Sequence, residues 1–213
     1  MGKAKRAKQA ANVEHELVGE AAKGRHSQPV AFLGALSEVA DQPPLVGICL
    51  ATIGSGVILR RRDVTRTGVR MLVAHALATG AKSVLKSSID RTRPSKALAD
   101  GEHQAGPGSN SPDPNLNSFP SGHTAGAVSV AQAIAHTMPP LAIPIRVTAA
   151  AIALIQLPRG KHYPSDIVVG AALGWGADQI AGALVTAGES AIDRYLGSHD
   201  EQRVIAEAEA HPS

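Results

Sequence analysis

Aromatic residues are scarce in this chain of 213 residues: Phe, Trp and Tyr make up 2% of it, whereas hydrophobic residues make up 44%. A soluble core this poor in aromatic side chains lacks its largest packing contributors. Membrane helices tolerate the shortage better, because small residues let helix backbones approach closely. The mean hydropathy of -0.01 averages the apolar segments with long polar ends, so the composition favours a bundle of membrane helices.

The single cysteine excludes further classes of protein. Cys49 has no partner for an internal disulfide, and no metal cluster built on cysteine is possible. The formal net charge is +3, and basic residues such as those at 60–62 are not interleaved with aromatics, so we expect no nucleic-acid partner. The basic start of the chain leads into polar sequence, which is not typical of a cleavable signal peptide.

Five apolar segments follow one another after residue 42. They are residues 43–59, 67–86, 124–138, 141–157 and 167–187. A membrane span needs about 20 residues, with ~17 as the lower limit, so flanking residues must extend several of them. Apolar residues at helical spacing over 29–41 predict an amphipathic helix on the membrane or on the bundle. We therefore expect an all-α integral membrane helix bundle of about five to six spans.

The same pattern divides the chain into three parts. Residues 1–42 form a basic and amphipathic N-terminal segment, 43–187 the membrane domain, and 188–213 a polar C-terminal tail. Residues 95–119 are rich in Gly, Pro, Asn, Asp and Ser, which predicts a long polar loop. A loop of this length inside a compact domain is usually functional or disordered.

Three clusters of polar residues lie at the ends of the apolar segments. Lys86, Arg93 and Pro94 close the second segment, and Pro94 is predicted to stop its helix. Residues 120–123 (Pro-Ser-Gly-His) open the third segment, and residues 162–166 (His-Tyr-Pro-Ser-Asp) lie between the fourth and the fifth. In an up-down bundle these ends share one face, so we predict that the clusters form a single site.

The first two clusters contain groups that bind phosphate. Lys86 offers a point charge and Arg93 a planar fork of donors. Ser121 and Gly122 are predicted to open a helix, where exposed backbone N–H groups and the helix dipole favour an anion. The Ser121 hydroxyl adds one more donor.

The histidines supply the reactive groups. His123 follows in the first turn, placed to protonate a leaving oxygen. His162 is the candidate nucleophile, and Asp166, four residues later, is predicted to orient its second ring nitrogen. His75 lies among apolar residues and is interpreted as a structural helix residue whose hydrogen bonds are satisfied.

These residues, in this order, resemble the signature of the type 2 phosphatidic acid phosphatase superfamily, which also includes the vanadium haloperoxidases. Its first part, Lys, six residues, Arg-Pro, matches residues 86–94, and its second, Pro-Ser-Gly-His, matches 120–123. The third part matches at His162 and Asp166. Three parts in order, with the correct internal spacing, are far more specific than one tetrapeptide.

One position departs from this signature. A Ser-Arg pair should precede the third-part histidine, but Ile155 and Gln156 stand there. Either Arg159 or Gln156 is then the substitute phosphate ligand. Because charge-assisted hydrogen bonds are roughly twice as strong as neutral ones, Gln156 leaves open a catalytically weakened or inactive protein that binds lipid phosphates.

The resemblance implies a haloperoxidase-like core and a phosphohydrolase that needs no metal or other cofactor. In such a protein His162 attacks phosphorus to form a phosphohistidine, and His123 protonates the leaving group. The implied partners are the bilayer and a lipid phosphate: phosphatidate, phosphatidylglycerophosphate or a polyprenyl phosphate or pyrophosphate. A vanadate-dependent haloperoxidase is disfavoured, because those enzymes are typically soluble and much longer.

Basic residues also predict an orientation. The arginines at 60–62 lie on the face opposite the polar clusters, and basic loops stay cytoplasmic. We therefore expect a protein of the bacterial plasma membrane with an extracytoplasmic site. The basic N-terminus conflicts with this unless residues 29–41 are re-entrant or cross the membrane.

Overall fold

A computed structural model describes residues 2–101, 103–109, 111 and 113–210. Eight α-helices account for most of these described residues: α1 (Lys3–Ala22), α2 (Gln28–Ser37), α3 (Gln42–Ile58), α4 (Arg62–Ser88), α5 (Pro94–Asp100), α6 (Gly122–Thr137), α7 (Ala142–Leu154) and α8 (Pro164–Ala210). Each of the five apolar segments is a helix, as predicted, namely α3, α4, α6, α7 and α8. The last helix continues without a break across the predicted boundary at residue 188.

Two of these helices, α5 and α8, begin at a proline. Proline is tolerated in the first turn because its missing N–H would have no partner there. Pro94 therefore starts α5 instead of stopping α4, which already ends at Ser88. Pro164 likewise starts α8, so His162 precedes the helix and Asp166 lies in its first turn.

The region predicted to be one long polar loop contains regular structure. In addition to α5, strands β1 (Ile89–Arg91) and β2 (Ala105–Pro107) pair in an antiparallel sheet that aligns Asp90 with Gly106. The loop prediction is wrong for residues 95–100, because Pro94 favours a helix start and Gly101, with a φ of 74°, provides a left-handed helix end.

Helix α6 forms the centre of the bundle, where it packs against α4, α7 and α8. Its buried side chains are small, and the core around them includes Cys49 and Met71. The contact with α8 is close: a Cβ added at Gly170 would lie 2.6 Å from Ser121 O, and one at Gly174 would lie 2.6 Å from Ala125 O. These two glycines bring the start of α8 against the start of α6.

A buried ion pair links the same helices at the other end of the bundle. Asp178 of α8 is fully buried, and its carboxylate accepts from Arg70 Nε of α4 at 2.7 Å. His136 Nδ1 of α6 lies 2.7 Å from the same carboxylate. The positions of α4, α6 and α8 are therefore fixed at both ends.

The surface carries many exposed apolar side chains, which is characteristic of proteins that contact lipid or other proteins. Among them are Phe32, Ile58, Ile143, Val147, Val168 and Trp175. By length and composition, one helix of the described chain is long and apolar enough to cross a membrane, over Pro164–Gly197; Gln42–Ile58 and Pro139–Leu154 are shorter apolar helices. Five to six spans remain a prediction.

Since α4 rises ~40 Å at 1.5 Å per residue, the arginines at 60–62 and Lys86 lie at opposite ends of it.

Candidate active site

A polar cavity of about 300 Å³ lies where the end of α4 meets the start of α6. Five of the predicted site residues line it: Lys86, Arg93, Gly122, His123 and His162. The rest of its wall consists of Ala40, Asp41, Gln42, Pro43, His75, Thr79 and Lys82. Residues from all three polar clusters therefore share one cavity.

Two cations of the cavity are held by backbone carbonyls. Lys86 lies in the last turn of α4, and its Nζ donates to Asn117 O at 2.7 Å. Arg93 precedes α5, and its Nε donates to Pro114 O at 2.8 Å. An ammonium has three donors and a guanidinium five, so these bonds fix both side chains without neutralising them. Both can therefore present positive charge to an anion in the cavity.

The N-terminus of α6 reaches the cavity through Gly122 and not through Ser121. Ser121 is fully buried, and its Oγ caps the helix by accepting from Thr124 N at 3.4 Å and from Thr124 Oγ1 at 2.9 Å. A Cβ added at Gly122 would lie 3.2 Å from Lys82 Cδ. Glycine leaves room for that side chain at a helix end whose dipole favours an anion.

His162 is oriented by a backbone carbonyl. The residue is 2% exposed, and its Nδ1 lies 2.7 Å from Ser118 O. Because a carbonyl only accepts, Nδ1 carries the proton and Nε2 keeps its lone pair. Burial lowers the pKa of His162, although the Asp166 carboxylate opposes that shift. The ring is therefore held neutral in the tautomer that a nucleophile needs.

Asp166 acts on His162 mainly through Ser118. Its Oδ2 lies 3.7 Å from His162 Nδ1, which is too long for a hydrogen bond. The same oxygen accepts from Ser118 Oγ at 2.6 Å and from Tyr163 N at 2.8 Å. The predicted direct contact between Asp166 and His162 is thus replaced by a fully buried carboxylate that fixes the two segments around the imidazole.

Arg91 was not found from the sequence, although it is central to this arrangement. Its Nη1 donates to Asp166 Oδ1 at 2.6 Å, and its Nη2 donates to Glu14 Oε2 of α1 at 2.7 Å. The guanidinium also lies 4.1 Å from the centre of the Tyr163 ring. Glu14 Oε1 accepts from Ser165 N at the start of α8. Through Glu14, helix α1 therefore stabilises the segment that contains His162.

We expect Arg91→Met to lower the free energy of unfolding by about 3 kcal/mol, because the buried Asp166 carboxylate is left without its ion-pair partner. The side chains of Arg91 and Asp166 are 10% and 0% exposed. Thermal unfolding in detergent measures the effect, and Arg61→Met is the matched control because the Arg61–Asp63 pair is exposed. Equal midpoints for the two variants would contradict this account of Arg91.

The ring of His123 is held by two carboxylates. Its Nε2 lies 3.1 Å from Asp41 Oδ1 and 3.4 Å from Glu38 Oε2. Burial raises the pKa of Glu38, but hydrogen bonds from Asp41 and Arg159 outweigh that and lower it overall. Burial and the neighbouring Glu38 raise the pKa of Asp41. Of the two carboxyl groups beside the proposed acid, Glu38 therefore has the lower pKa.

Glu38, Asp41 and His123 are also the one group in the described chain with the composition and spacing of a metal site. Two cations already contact Glu38: Arg159 through Nη2, and Lys161 through Nζ at 3.3 Å. A metal ion would have to compete with both charges. The donor set therefore fits a hydrogen-bonded support for His123 better than a metal centre.

The structure places neither predicted substitute ligand on the cavity wall. Gln156 is fully buried, and its Nε2 donates to Ser37 Oγ at 3.2 Å and to Ile152 O at 2.9 Å. Arg159 Nη1 donates to Ser37 Oγ at 2.8 Å, and its Nη2 pairs with Glu38. Both side chains form hydrogen bonds with residues at or next to the end of α2. The structure therefore does not support the prediction that one of them contacts the phosphate.

The sequence analysis missed Thr79 and Lys82 and interpreted His75 only as a structural residue, because all three lie inside an apolar helix. His75, Thr79 and Lys82 of α4 precede Lys86 at spacings of four and three residues, so one helical face carries all four. That spacing was the available signal. His75 is 3% exposed, and its ring nitrogens have no hydrogen-bond partner in the described chain. The interpretation of His75 as a satisfied structural residue is therefore wrong.

The model of the PAP2 superfamily matches residues 67–186 of this chain. This match covers more than half of the chain and contains all three polar clusters. The chain belongs to the PAP2 superfamily. The family resemblance of the sequence is thereby confirmed, and the three clusters in this order supply residues to the cavity that α4, α6 and the segment before α8 form.

Curated relatives within the PAP2 superfamily include decaprenylphosphoryl-5-phosphoribose phosphatase of two Mycobacterium tuberculosis strains, CDC 1551 / Oshkosh and H37Rv. Each is 33% identical to this chain over 132 residues, which is 60% of this chain and 64% of the relative. The match thus spans somewhat less than two thirds of the length of these relatives.

Solved structures show the same PAP2 fold. The phosphatidylglycerolphosphate phosphatase of Bacillus subtilis, a transmembrane protein of PAP2 type, superposes with a TM-score of 0.62 at 22% identity, over 84% of this chain and 86% of that one. LpxE of Aquifex aeolicus superposes with a TM-score of 0.55 at 22% identity, over 78% of this chain and 92% of that one. At these identities the likeness concerns the fold alone.

Proposed function

We propose that this PAP2 protein is a membrane lipid phosphatase that hydrolyses a phosphomonoester or pyrophosphate through a phosphohistidine on His162. One observation carries the proposal. The buried imidazole of His162, with Nδ1 bound to Ser118 O, lines the same 300 Å³ cavity as Lys86, Arg93 and the N-terminus of α6. A neutral nucleophile and an anion site are thus brought together.

In the first step His162 Nε2 donates its lone pair to phosphorus, and the bond from phosphorus to the leaving oxygen breaks. His123 gives that oxygen a proton, so the lipid alcohol leaves uncharged. The positive charges of Lys86 and Arg93 stabilise the phosphoryl oxygens in the transition state. Fixed cations suffice for this electrostatic role, so the proposed chemistry needs no metal.

In the second step water attacks the phosphoryl group on His162. His123, now without its proton, takes one from the water, and the bond between phosphorus and Nε2 breaks to release phosphate. Burial lowers the pKa of His123 overall, while Asp41 and Glu38, 3.1 Å and 3.4 Å from its Nε2, oppose that shift and favour the protonated ring that the next cycle requires.

An apolar groove beside the cavity supports a lipid as substrate. It has a volume of about 710 Å³ and lies between α2 and α7, where Leu33, Leu36, Ile152 and Ile155 line it. The 3₁₀ turn Glu38–Ala40 separates it from the cavity. A lipid with its phosphate in the cavity would place its chain in this groove. Two of the similar proteins are named for lipid phosphates: decaprenylphosphoryl-5-phosphoribose phosphatase and the phosphatidylglycerolphosphate phosphatase of Bacillus subtilis.

A panel of lipid phosphates tests the function. Purified protein in detergent should release phosphate from at least one of phosphatidate, phosphatidylglycerophosphate, a polyprenyl phosphate and a polyprenyl pyrophosphate. Shortening the chain should raise KM, because less apolar surface enters the groove. Binding of these lipids without any phosphate release would favour the alternative, a lipid-phosphate-binding protein, which the absence of Gln156 and Arg159 from the cavity wall motivates.

The depressed pKa of His162 predicts activity at mildly acidic pH. Burial disfavours the imidazolium, so the ring loses its proton below the usual value of about 6.5 and stays nucleophilic there. An NMR titration of the His162 imidazole should give a midpoint under that value. The acid limb of kcat should follow it. A midpoint above the usual value would contradict the orientation and burial described for this ring.

A further inference from the structure

Lys82, like Lys86 and Arg93, differs from the buried cations of the described chain that form ion pairs. Arg91 pairs with Asp166, and Arg159 with Glu38. Lys82 lines the cavity and is half-buried, yet within the described residues no carboxylate lies within ion-pair distance of its ammonium. Burying a charge is costly unless it is paired. A half-buried cation without a protein partner, facing a cavity, indicates an anionic ligand.

The position of the ammonium specifies which part of the cavity that ligand occupies. Lys82 Nζ lies 3.7 Å from the point where a Cβ of Gly122 would be, so it is next to the first residue of α6. Lys86 lies one turn further along the same face of α4. The two ammonium groups and the helix N-terminus therefore converge on one region, beside His123.

A further cation beside Lys86 and Arg93 would add to the stabilisation of the transferred group's charge. A phosphoryl group carries two negative charges, which are spread over three oxygens in the transition state. Lys86 and Arg93 supply two cations, and the two residues that the sequence suggested as a third are bound to α2. Among the described residues that line the cavity, Lys82 completes a set of three.

We propose that Lys82 is the third cation of the phosphate site and donates hydrogen bonds to a non-bridging oxygen of the transferred phosphoryl group. This assignment rests on the proposed function and names a ligand that replaces Gln156 and Arg159 in that role. No proton is transferred by Lys82 and no bond to it forms. Its contribution is electrostatic and is largest when charge accumulates on the phosphoryl oxygens.

Lys82→Met tests the assignment, with Lys82→Arg as the variant that keeps the charge. The control is Lys96→Met, which removes a cation of α5 that pairs with Asp100 outside the cavity. Two readouts are needed: kcat/KM on a lipid monophosphate, and the Kd of orthovanadate and inorganic phosphate measured calorimetrically on protein in detergent. The second readout does not depend on turnover.

We expect Lys82→Met to lower kcat/KM by about 10²-fold, the usual effect of removing one transition-state donor. It should weaken orthovanadate binding more than phosphate binding, and Lys82→Arg should recover part of both. Unchanged affinities in Lys82→Met would overturn the assignment. The assignment would also be overturned if Lys82→Met weakened the binding only of a probe with two phosphate-like groups, such as methylenediphosphonate. Lys82 would then bind a second anion and not the transferred phosphoryl group. If binding depends on Lys82 but no lipid yields phosphate, the proposed function fails while the cation site stands.

Discussion

Replacing His162 with alanine is expected to reduce phosphate release from a lipid phosphate by at least about 10³-fold, with the fold intact. Loss of the group that forms a covalent intermediate removes the reaction path itself, and losses of this size or larger follow such substitutions. The imidazole is 2% exposed and makes one hydrogen bond to the backbone, at 2.7 Å. Activity is measured as phosphate release by purified protein, alongside its thermal unfolding midpoint.

His26→Ala is the matched control for that substitution. His26 is exposed, and its Nε2 accepts a hydrogen bond from the neighbouring Arg25 at 2.9 Å. This variant should retain wild-type turnover. If His162→Ala keeps more than a tenth of the wild-type rate at an unchanged midpoint, His162 is not the nucleophile.

Replacing His123 with alanine should produce a loss that depends on the leaving group. A lipid alkoxide leaves poorly without a proton, so removing the general acid should lower kcat by about 10²–10⁴-fold. A p-nitrophenolate leaves readily as an anion, and p-nitrophenyl phosphate should therefore be turned over with a much smaller loss. The measurement is the ratio of kcat for the two substrates in wild type and in His123→Ala.

The same ratio distinguishes an acid from a group that only binds phosphate. Lys86→Met should slow both substrates by similar factors, because the role proposed for Lys86 is to contact the transferred group and not the leaving oxygen. Asp41→Asn should behave like a milder His123→Ala, since Asp41 Oδ1 lies 3.1 Å from His123 Nε2. An equal loss on both substrates in His123→Ala would rule out its role as general acid.

The bundle and its polar clusters could be predicted from the sequence because both follow from local patterns. Apolar runs long enough for helices became α3, α4, α6, α7 and α8. The alternation of helix directions then placed Lys86, His123 and His162 at one end of the bundle, and the structure puts them on one cavity. That prediction followed from the order and alternating directions of the helices alone.

The contacts that hold the site could not be predicted in the same way, because they join distant parts of the chain. Arg91 connects Glu14 of α1 with Asp166 of α8, and no spacing in the sequence marks that pair. The family signature directed attention to Gln156 and Arg159, yet Ser37 and Glu38 hold both. Lys82 was hidden inside an apolar helix, where only its spacing from Lys86 distinguishes it.

Isolation of the covalent intermediate tests the central claim most directly. Wild-type protein is mixed with a lipid phosphate that is radiolabelled in the terminal phosphoryl group, quenched in alkali to preserve phosphohistidine, and digested for mass spectrometry. The account predicts label on His162, and none on that peptide in His162→Ala. Turnover without label on His162, or label on a different residue, would contradict it.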